Sequence, residues 1–178
     1  IKHLGISKKT EQGVELRVHP TLTPHRRLIA NVDGVMNAVL VKGDAVGPTL
    51  YYGAGAGSEA TASAVVADIV DVVRTLTTDP ENRVPHLAFQ PDAIVDTPIL
   101  PISEVVTSYY LRIHTDDEPG VLADITRILA EQSISIEAIL QKQPEDHNGI
   151  VPVIMLTQEV AEKNMDLAIK QIEELTTV

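Results

Sequence analysis

The prolines divide this chain into two parts. Five of its eleven prolines fall between positions 80 and 101, at Pro80, Pro85, Pro91, Pro98 and Pro101. Because proline lacks a backbone N–H and restricts the residue before it, such a stretch cannot continue a helix or form a central strand. We therefore predict one domain over 1–78, an extended connector over 79–104 and a second domain over 105–178. The connector is predicted to pack on a surface as a strap, because it carries six apolar residues: Leu87, Phe89, Ile94, Val95, Ile99 and Leu100.

The charge differs between the two parts. Residues 1–106 carry 9 basic and 12 acidic side chains, whereas residues 107–178 carry 5 basic and 13 acidic ones. The net charge of −11 argues against a surface that follows nucleic-acid phosphates. No apolar run approaches the ~20 residues of a membrane helix. The absence of cysteine excludes disulfides and thiol nucleophiles, and it fits a reducing cytoplasm.

Hydrophobic periodicity predicts an α+β fold with a different element order in each part. The first part is predicted to contain strands 1–7 and 14–19, a short helix 24–30, strands 35–41 and 45–52 joined at 42–44, and a helix 59–76 whose small alanines let it cover a sheet. The second part is predicted to contain strand 107–114, helix 120–132, strands 134–143 and 150–157, and helix 159–174. This β-α-β-β-α order is that of a ferredoxin-like unit with a truncated last strand.

The densest chemical signal is the glycine-rich run at 51–58, between a predicted strand and a predicted helix. Gly53, Gly55 and Gly57 let the backbone turn sharply and approach a ligand, and a helix N-terminus offers free N–H groups. Two interpretations stay open: contact with a phosphate, carboxylate or flat cofactor ring, or a tight turn without a ligand. The run is neither the dinucleotide-binding fingerprint nor a P-loop.

A second strand-to-helix turn spans 116–122. Asp117 is predicted to cap the following helix, and Pro119 to occupy its first turn. Gly120 leaves that turn bare for a partner backbone or a small ligand, although ordinary capping accounts for the same residues. None of the six histidines has metal-ligand spacing. The sequence thus contains a binding loop but no recognisable metal site or catalytic constellation.

Several segments resemble the C-terminal part of homoserine dehydrogenase. They are 1–6, 18–20, 35–39, 52–57 and 61–69, in the family's order and spacing. Ala60 departs from that pattern, because the family usually has proline there. The resemblance implies that residues 1–78 are part of a mixed-sheet catalytic domain with a covering helix. It implies an NAD(P)-dependent oxidoreductase that interconverts homoserine and aspartate 4-semialdehyde. It also implies that Gly53, Gly55, Ala56 and Gly57 lie near the nicotinamide of NAD or NADP.

Residues 107–178 resemble an ACT domain, a module that senses small molecules. The resemblance is carried by Asp117, Pro119, Gly120, Val121 and Leu122, followed by Ile125. It implies that the five residues from Asp117 to Leu122 form an effector turn for an amino acid such as threonine. The Rossmann domain and the catalytic Lys and acidic residues of the family are expected to precede residue 1, so that the chain alone is expected to be inactive.

The resemblance also implies self-association, through the strands of the first part and through pairing of ACT domains. No nucleic-acid or membrane partner is expected. One alternative is a free-standing ACT-type module that binds amino acids or drives oligomerisation. Another is a separate dinucleotide-binding protein, which is disfavoured because no acidic partner for the ribose follows the glycine run.

Overall fold

A computed structural model describes residues 1–77, 88–141 and 149–178 of the chain. The contacts divide it into two compact units. The first comprises Ile1–His3 and Pro20–Asp96, and the second comprises Leu4–His19 and Thr97–Val178. Within the described ranges, no helix is long and apolar enough to cross a membrane.

The regular elements of the described residues are nine strands, three α-helices and three short 3-10 turns. In chain order the strands and helices are β1 (Lys2–Lys9), β2 (Val14–Thr21), β3 (Met36–Gly43), β4 (Gly47–Ala54), α1 (Ser58–Leu76), β5 (Val106–Thr107), β6 (Tyr110–Asp116), α2 (Val121–Glu131), β7 (Ile136–Gln141), β8 (Ile150–Thr157), β9 (Val160–Ala161) and α3 (Glu162–Glu173). The 3-10 turns are Leu28–Asn31, Pro91–Ala93 and Ile102–Glu104. The short helix predicted over 24–30 is present only as the 3-10 turn at Leu28–Asn31, so its predicted start is wrong.

The first unit is built on an antiparallel hairpin of β3 and β4. Its register pairs Met36 with Ala54 at the open end and Gly43 with Gly47 at the closed end. The turn is therefore centred two residues later than the predicted one at 42–44. Gly47 has a φ of +73°, a conformation that glycine adopts without strain, and this favours the later turn.

Helix α1 forms almost where the pattern predicts it, but among the described residues it does not cover a sheet. None of its residues is buried, and its apolar side chains stay exposed. The most exposed of them are Val66, Ile69 and Leu76, with 58%, 57% and 72% of their surface accessible. The expectation of a covering helix is therefore wrong for the described residues. A periodic apolar stripe predicts that a face is buried but does not say which molecule buries it.

The second unit contains a three-stranded antiparallel sheet in the order β6-β8-β7. The strands and helices α2 and α3 follow the predicted β-α-β-β-α order, and the α+β class is confirmed. The apolar faces of the two helices and of β8 form one buried core. Its members are Val121, Ile125, Ile128, Leu129, Ile134, Val153, Met155, Val160, Met165, Ala168 and Ile172.

The boundaries of three elements in the second unit differ from the prediction. The strand predicted over 134–143 begins only at Ile136, as β7, and residues 142 and 143 lie outside the described ranges. The strand predicted over 107–114 is split, because β5 pairs with β9 whereas β6 pairs with β8. The helix predicted over 159–174 begins only at Glu162, because Val160 and Ala161 are in the short strand β9. A two-residue strand is fixed by its distant partner and leaves no periodic signal in the sequence.

The described part of the predicted connector, 88–104, contains two 3-10 turns and one isolated bridge. Ile99 forms that bridge, a parallel one, with Val14 of β2. The Val14 N–H donates to the Pro98 carbonyl oxygen at 2.9 Å, and the Leu100 N–H donates to the Val14 carbonyl oxygen at 3.0 Å. A side chain at Gly13 would collide with the Pro98 carbonyl, so glycine is required where the strap meets the hairpin. The side chains of Phe89, Ile94, Val95 and Ile99 are exposed, so the predicted side-chain packing of the strap is wrong for these four residues. The strap is held to β2 through its backbone at 98–100. Residues 79–87, which include Leu87, lie outside the described ranges.

Candidate functional site

The glycine-rich turn lies between the end of β4 and the start of α1. Gly57 is the N-cap of α1 and has no side chain with which to cap the helix. The first N–H groups of a helix have no partner inside it, and they form its electropositive end. Every residue of the stretch 51–61 is exposed. The turn is therefore an accessible strand-to-helix junction whose helical end carries no side-chain cap.

The three glycines of the run differ in how the fold constrains them, with Gly53 in β4 and Gly55 and Gly57 in the turn. A side chain at Gly53 would meet open space, because no atom lies within 4 Å of its Cβ position. At Gly55 the Cβ position is only 2.6 Å from Cγ of Asn37. Gly57 has a φ of +125°, which L-residues adopt only with strain. Steric needs of the turn thus account for Gly55 and Gly57, whereas the fold leaves Gly53 free to vary.

Asn37 on β3 is a residue that the sequence analysis did not single out. Its Nδ2 donates to the Val35 carbonyl oxygen at 3.3 Å, and the Gly55 N–H donates to the same oxygen at 3.4 Å. The signal that could have found it is the pairing of β3 with β4. Gly53 in β4 and Gly55 just after it leave room for a polar side chain on the neighbouring strand.

The predicted effector turn lies between β6 and α2, and its capping differs from the prediction. The N-cap of α2 is Gly120, in a left-handed conformation with a φ of +104°, and no side chain caps the helix. Pro119 therefore precedes the cap and does not occupy the first helical turn. Asp117 does not cap the helix either. Its Oδ1 accepts a hydrogen bond from Nε2 of Gln141 at 3.3 Å, and its N–H donates to the Gly149 carbonyl oxygen at 2.8 Å.

The remaining residues of this turn divide into an open part and a buried part. No atom lies within 4 Å of the Cβ position of Gly120, so the backbone is bare at this point. The Val121 side chain is only 7% exposed and belongs to the core, whereas Leu122 is 36% exposed. The backbone of Gly120 and the side chains of Asp117, Pro119 and Leu122 are therefore accessible to a ligand, whereas the side chain of Val121 is not.

A polar cluster that no sequence pattern indicated joins the residue before β6, the end of β8 and the start of α3. The Tyr109 hydroxyl donates a short hydrogen bond to a carboxylate oxygen of Glu162. The Tyr109 N–H donates to Oγ1 of the buried Thr157 at 2.9 Å. Partial burial and the Glu162 carboxylate raise the pKa of Tyr109 well above its usual range. The cluster thus fixes the start of α3 against the sheet.

The described residues contain no group of three His, Asp or Glu side chains arranged to hold a metal ion. The glycine turn belongs to the first unit and the effector turn to the second.

The comparisons with known proteins assign a family to each part. Residues 1–70 match the family model of homoserine dehydrogenase, and residues 109–176 match that of the ACT domain. The homoserine dehydrogenase of Pseudomonas aeruginosa is 63% identical over 178 residues, which are all of this chain and 41% of that protein. That of Neisseria gonorrhoeae is 54% identical over the same share of each.

Solved structures give the same result. A homoserine dehydrogenase from Thiobacillus denitrificans superposes with a TM-score of 0.88 at 66% identity, over 99% of this chain and 39% of that one. The enzyme from S. aureus superposes with a TM-score of 0.53 at 23% identity, which is a likeness of fold. The chain spans about two fifths of the length of these relatives. It belongs to the homoserine dehydrogenase family over residues 1–70 and carries an ACT domain over residues 109–176.

Proposed function

We propose that this chain supplies the glycine turn and the ACT domain of a homoserine dehydrogenase. The reaction is the NAD(P)-dependent interconversion of L-homoserine and L-aspartate 4-semialdehyde in amino-acid biosynthesis. The observation that carries the proposal is the exposed junction at 55–57, where a bare backbone runs into an uncapped helix start, in a segment that matches the family.

The turn suits a flat cofactor ring for steric and electrostatic reasons. Gly53, Gly55, Ala56 and Gly57 present at most one methyl group, so a nicotinamide ring can lie close to the backbone. The electropositive start of α1 favours polar or anionic groups of a dinucleotide. The dinucleotide, NAD or NADP, supplies the hydride chemistry when it is bound, and the turn would support its ring from one side.

The sequence contains no recognisable catalytic constellation, so the 178-residue chain alone is expected to be inactive. The test compares it with a polypeptide that spans the full length of the relatives and contains these residues. Homoserine-dependent reduction of NAD or NADP is measured for both. We expect activity from the longer polypeptide only, and Gly57→Ala should lower it because an L-residue is strained at this φ. Activity of the 178-residue chain would contradict the proposal.

The second unit supports regulation by an amino-acid effector that binds at Asp117, Pro119, Gly120, Val121 and Leu122. Backbone atoms at the open Gly120 are suited to bind the polar groups of a small amino acid. Calorimetry with threonine and other amino acids tests this role. Gly120→Ala should weaken binding, because its φ of +104° strains any L-residue. A chain that binds no amino acid would contradict an effector role.

A free-standing amino-acid-binding module is the second candidate function. Its support is that the second unit has a buried core of its own. Amino-acid binding by the 178-residue chain, together with an inactive full-length polypeptide, would favour this alternative over the dehydrogenase.

We also propose homo-oligomerisation through the strands of the first part and through pairing of ACT domains. The support is the apolar surface that this chain leaves exposed, on α1 and on the β3–β4 hairpin. Contiguous exposed apolar side chains mark interaction surfaces when they form a large patch. Sedimentation of the chain at micromolar concentration should give a species larger than a monomer, and a well-behaved monomer would contradict the proposal.

A further inference from the structure

The side chain of Asn37 on β3 lies next to Gly55 of the glycine turn. Asn37 pairs with Gly53 in the register, so its diagonal neighbour on the same face is Gly55. Nothing lies within 4 Å of the Cβ position of Gly53, whereas that of Gly55 is 2.6 Å from Asn37 Cγ and 3.1 Å from Asn37 Cβ. The Asn37 side chain thus occupies the space that a residue larger than glycine would need at position 55.

The Asn37 side chain and the Gly55 backbone also share one hydrogen-bond acceptor. Nδ2 of Asn37 and the N–H of Gly55 both donate to the carbonyl oxygen of Val35, at 3.3 Å and 3.4 Å. A Cβ at position 55 would approach Cβ and Cγ of Asn37, and both of these atoms are close to the main chain. Rotation of the amide about χ2 would therefore not relieve the collision. Asn37 would have to change χ1 and give up its hydrogen bond to Val35.

We propose that Asn37 is a positioning residue for the glycine turn. Its side chain packs on Gly55, shares the Val35 carbonyl with it, and so fixes how far the backbone of 55–57 projects from the hairpin. This inference rests on the proposed function, because the position of that backbone matters when a nicotinamide ring lies against it. The positioning role also explains why residue 55 is glycine, because a larger residue would leave no room for the Asn37 side chain.

The kinetic test uses the full-length polypeptide that contains these residues. The variants are Asn37→Ala, Gly55→Ala, the double variant, and Thr49→Val. Thr49→Val is the matched control, because it removes a side-chain hydrogen bond to the Val41 carbonyl oxygen, on the same hairpin but far from the turn. For each variant, kcat, the KM for the dinucleotide, the KM for homoserine and the melting temperature are measured.

Misplacing a reacting group by about 1 Å lowers a rate by roughly 100-fold. We expect each single variant at the turn to lower kcat by about 10- to 100-fold, while the KM for homoserine and the melting temperature stay near their original values. The double variant should be no worse than the poorer single one, because removing Asn37 relieves the collision at position 55. The control should keep the original kcat. An Asn37→Ala enzyme with its original kcat, or a double variant whose loss is the product of the two single losses, would overturn the proposal.

A second readout separates this inference from the proposed function. Amide resonances of Gly55, Ala56 and Gly57 in the 178-residue chain should shift in Asn37→Ala and stay unchanged in Thr49→Val. Unchanged resonances in Asn37→Ala would refute the positioning role even if the enzyme is active. If the full-length polypeptide does not oxidise homoserine, the proposed function fails, and the resonances still decide whether Asn37 positions the turn.

Discussion

Replacing Gly13 by alanine is predicted to detach the strap from the β1–β2 hairpin. Gly13 has a φ of +147°, and its Cβ position falls on the Pro98 carbonyl, with the Pro98 carbonyl carbon at 3.1 Å. A methyl group there must push Pro98 away. That movement breaks the hydrogen bond from the Val14 N–H to Pro98, and with it the neighbouring one from the Leu100 N–H to Val14.

The loss of stability in Gly13→Ala follows from these two hydrogen bonds and from backbone strain at residue 13. Each bond contributes about 1 kcal/mol to stability, so detachment costs about 2 kcal/mol. If the backbone of residue 13 also keeps its conformation, strain adds roughly 1–3 kcal/mol. A loss of about 2 kcal/mol in local stability corresponds to about 30-fold faster exchange of the amides concerned.

Hydrogen exchange of the Val14 and Leu100 amides in the 178-residue chain measures this effect directly. Gly5→Ala is the matched control in the same hairpin, because its Cβ would lie 3.9 Å from its nearest neighbour, Val18 Cγ2, which is an ordinary contact. We expect fast exchange of both amides in Gly13→Ala and unchanged exchange in Gly5→Ala. Protection of both amides in Gly13→Ala at the original level would refute this account of the strap.

Two further predictions concern the stability of the second unit. Tyr109→Phe should lower the free energy of unfolding by about 1 kcal/mol at neutral pH, because it removes the hydrogen bond to Glu162. Because the folded-state pKa of Tyr109 is raised, the original chain should lose stability as the pH rises above 10.0, the ordinary tyrosine value, and Tyr109→Phe should lack this loss. Urea titrations at neutral and alkaline pH test both expectations. Tyr110→Phe is the control, because it leaves Tyr109 and Glu162 in place. If stability is still lost at alkaline pH in Tyr109→Phe, the loss does not come from the Tyr109 hydroxyl. Met155→Ala should cost about 2–5 kcal/mol, because Met155 is fully buried, whereas Leu140→Ala, at a 53% exposed position, should cost far less; equal costs in urea denaturation would contradict the assigned core.

The elements that the sequence predicted well are those with a local cause. The run of Ala, Val and Ile without Gly or Pro predicts a helix over 59–76, and α1 spans Ser58–Leu76. The strand predicted over 150–157 is β8, whose alternate residues are buried in the core. In both cases the periodicity within one segment is sufficient.

The features that the sequence did not predict depend on partners far along the chain. Tyr109 and Glu162 are 53 residues apart, and only the packing of α3 on the sheet brings them together. The strand β9 exists because β5 lies beside it. Asp117 has the composition of a helix cap, yet Gly120 takes that position and Asp117 binds Gln141. Short polar motifs indicate that a turn exists but do not fix which residue caps the helix.

In the candidate site, too, features with a local cause could be predicted and features that depend on distant residues could not. The glycine turn was recognisable, because three alternating glycines between a strand and a helix indicate a sharp turn with an accessible backbone. The reasons why Gly55 and Gly57 must be glycine could not be recognised in the sequence. Gly55 makes room for Asn37 across the hairpin, and Gly57 has a positive φ angle. The exposed face of α1 shows a further limit, because a single chain does not reveal what covers it.

The measurement that tests the central claim most directly is homoserine-dependent reduction of NAD or NADP. It is made on the full-length polypeptide that contains these residues and, in parallel, on the 178-residue chain. We expect the full-length polypeptide to be active, Gly57→Ala to slow it, and the 178-residue chain to show no activity. A full-length polypeptide that does not oxidise homoserine, or a 178-residue chain that does, would contradict the proposed function.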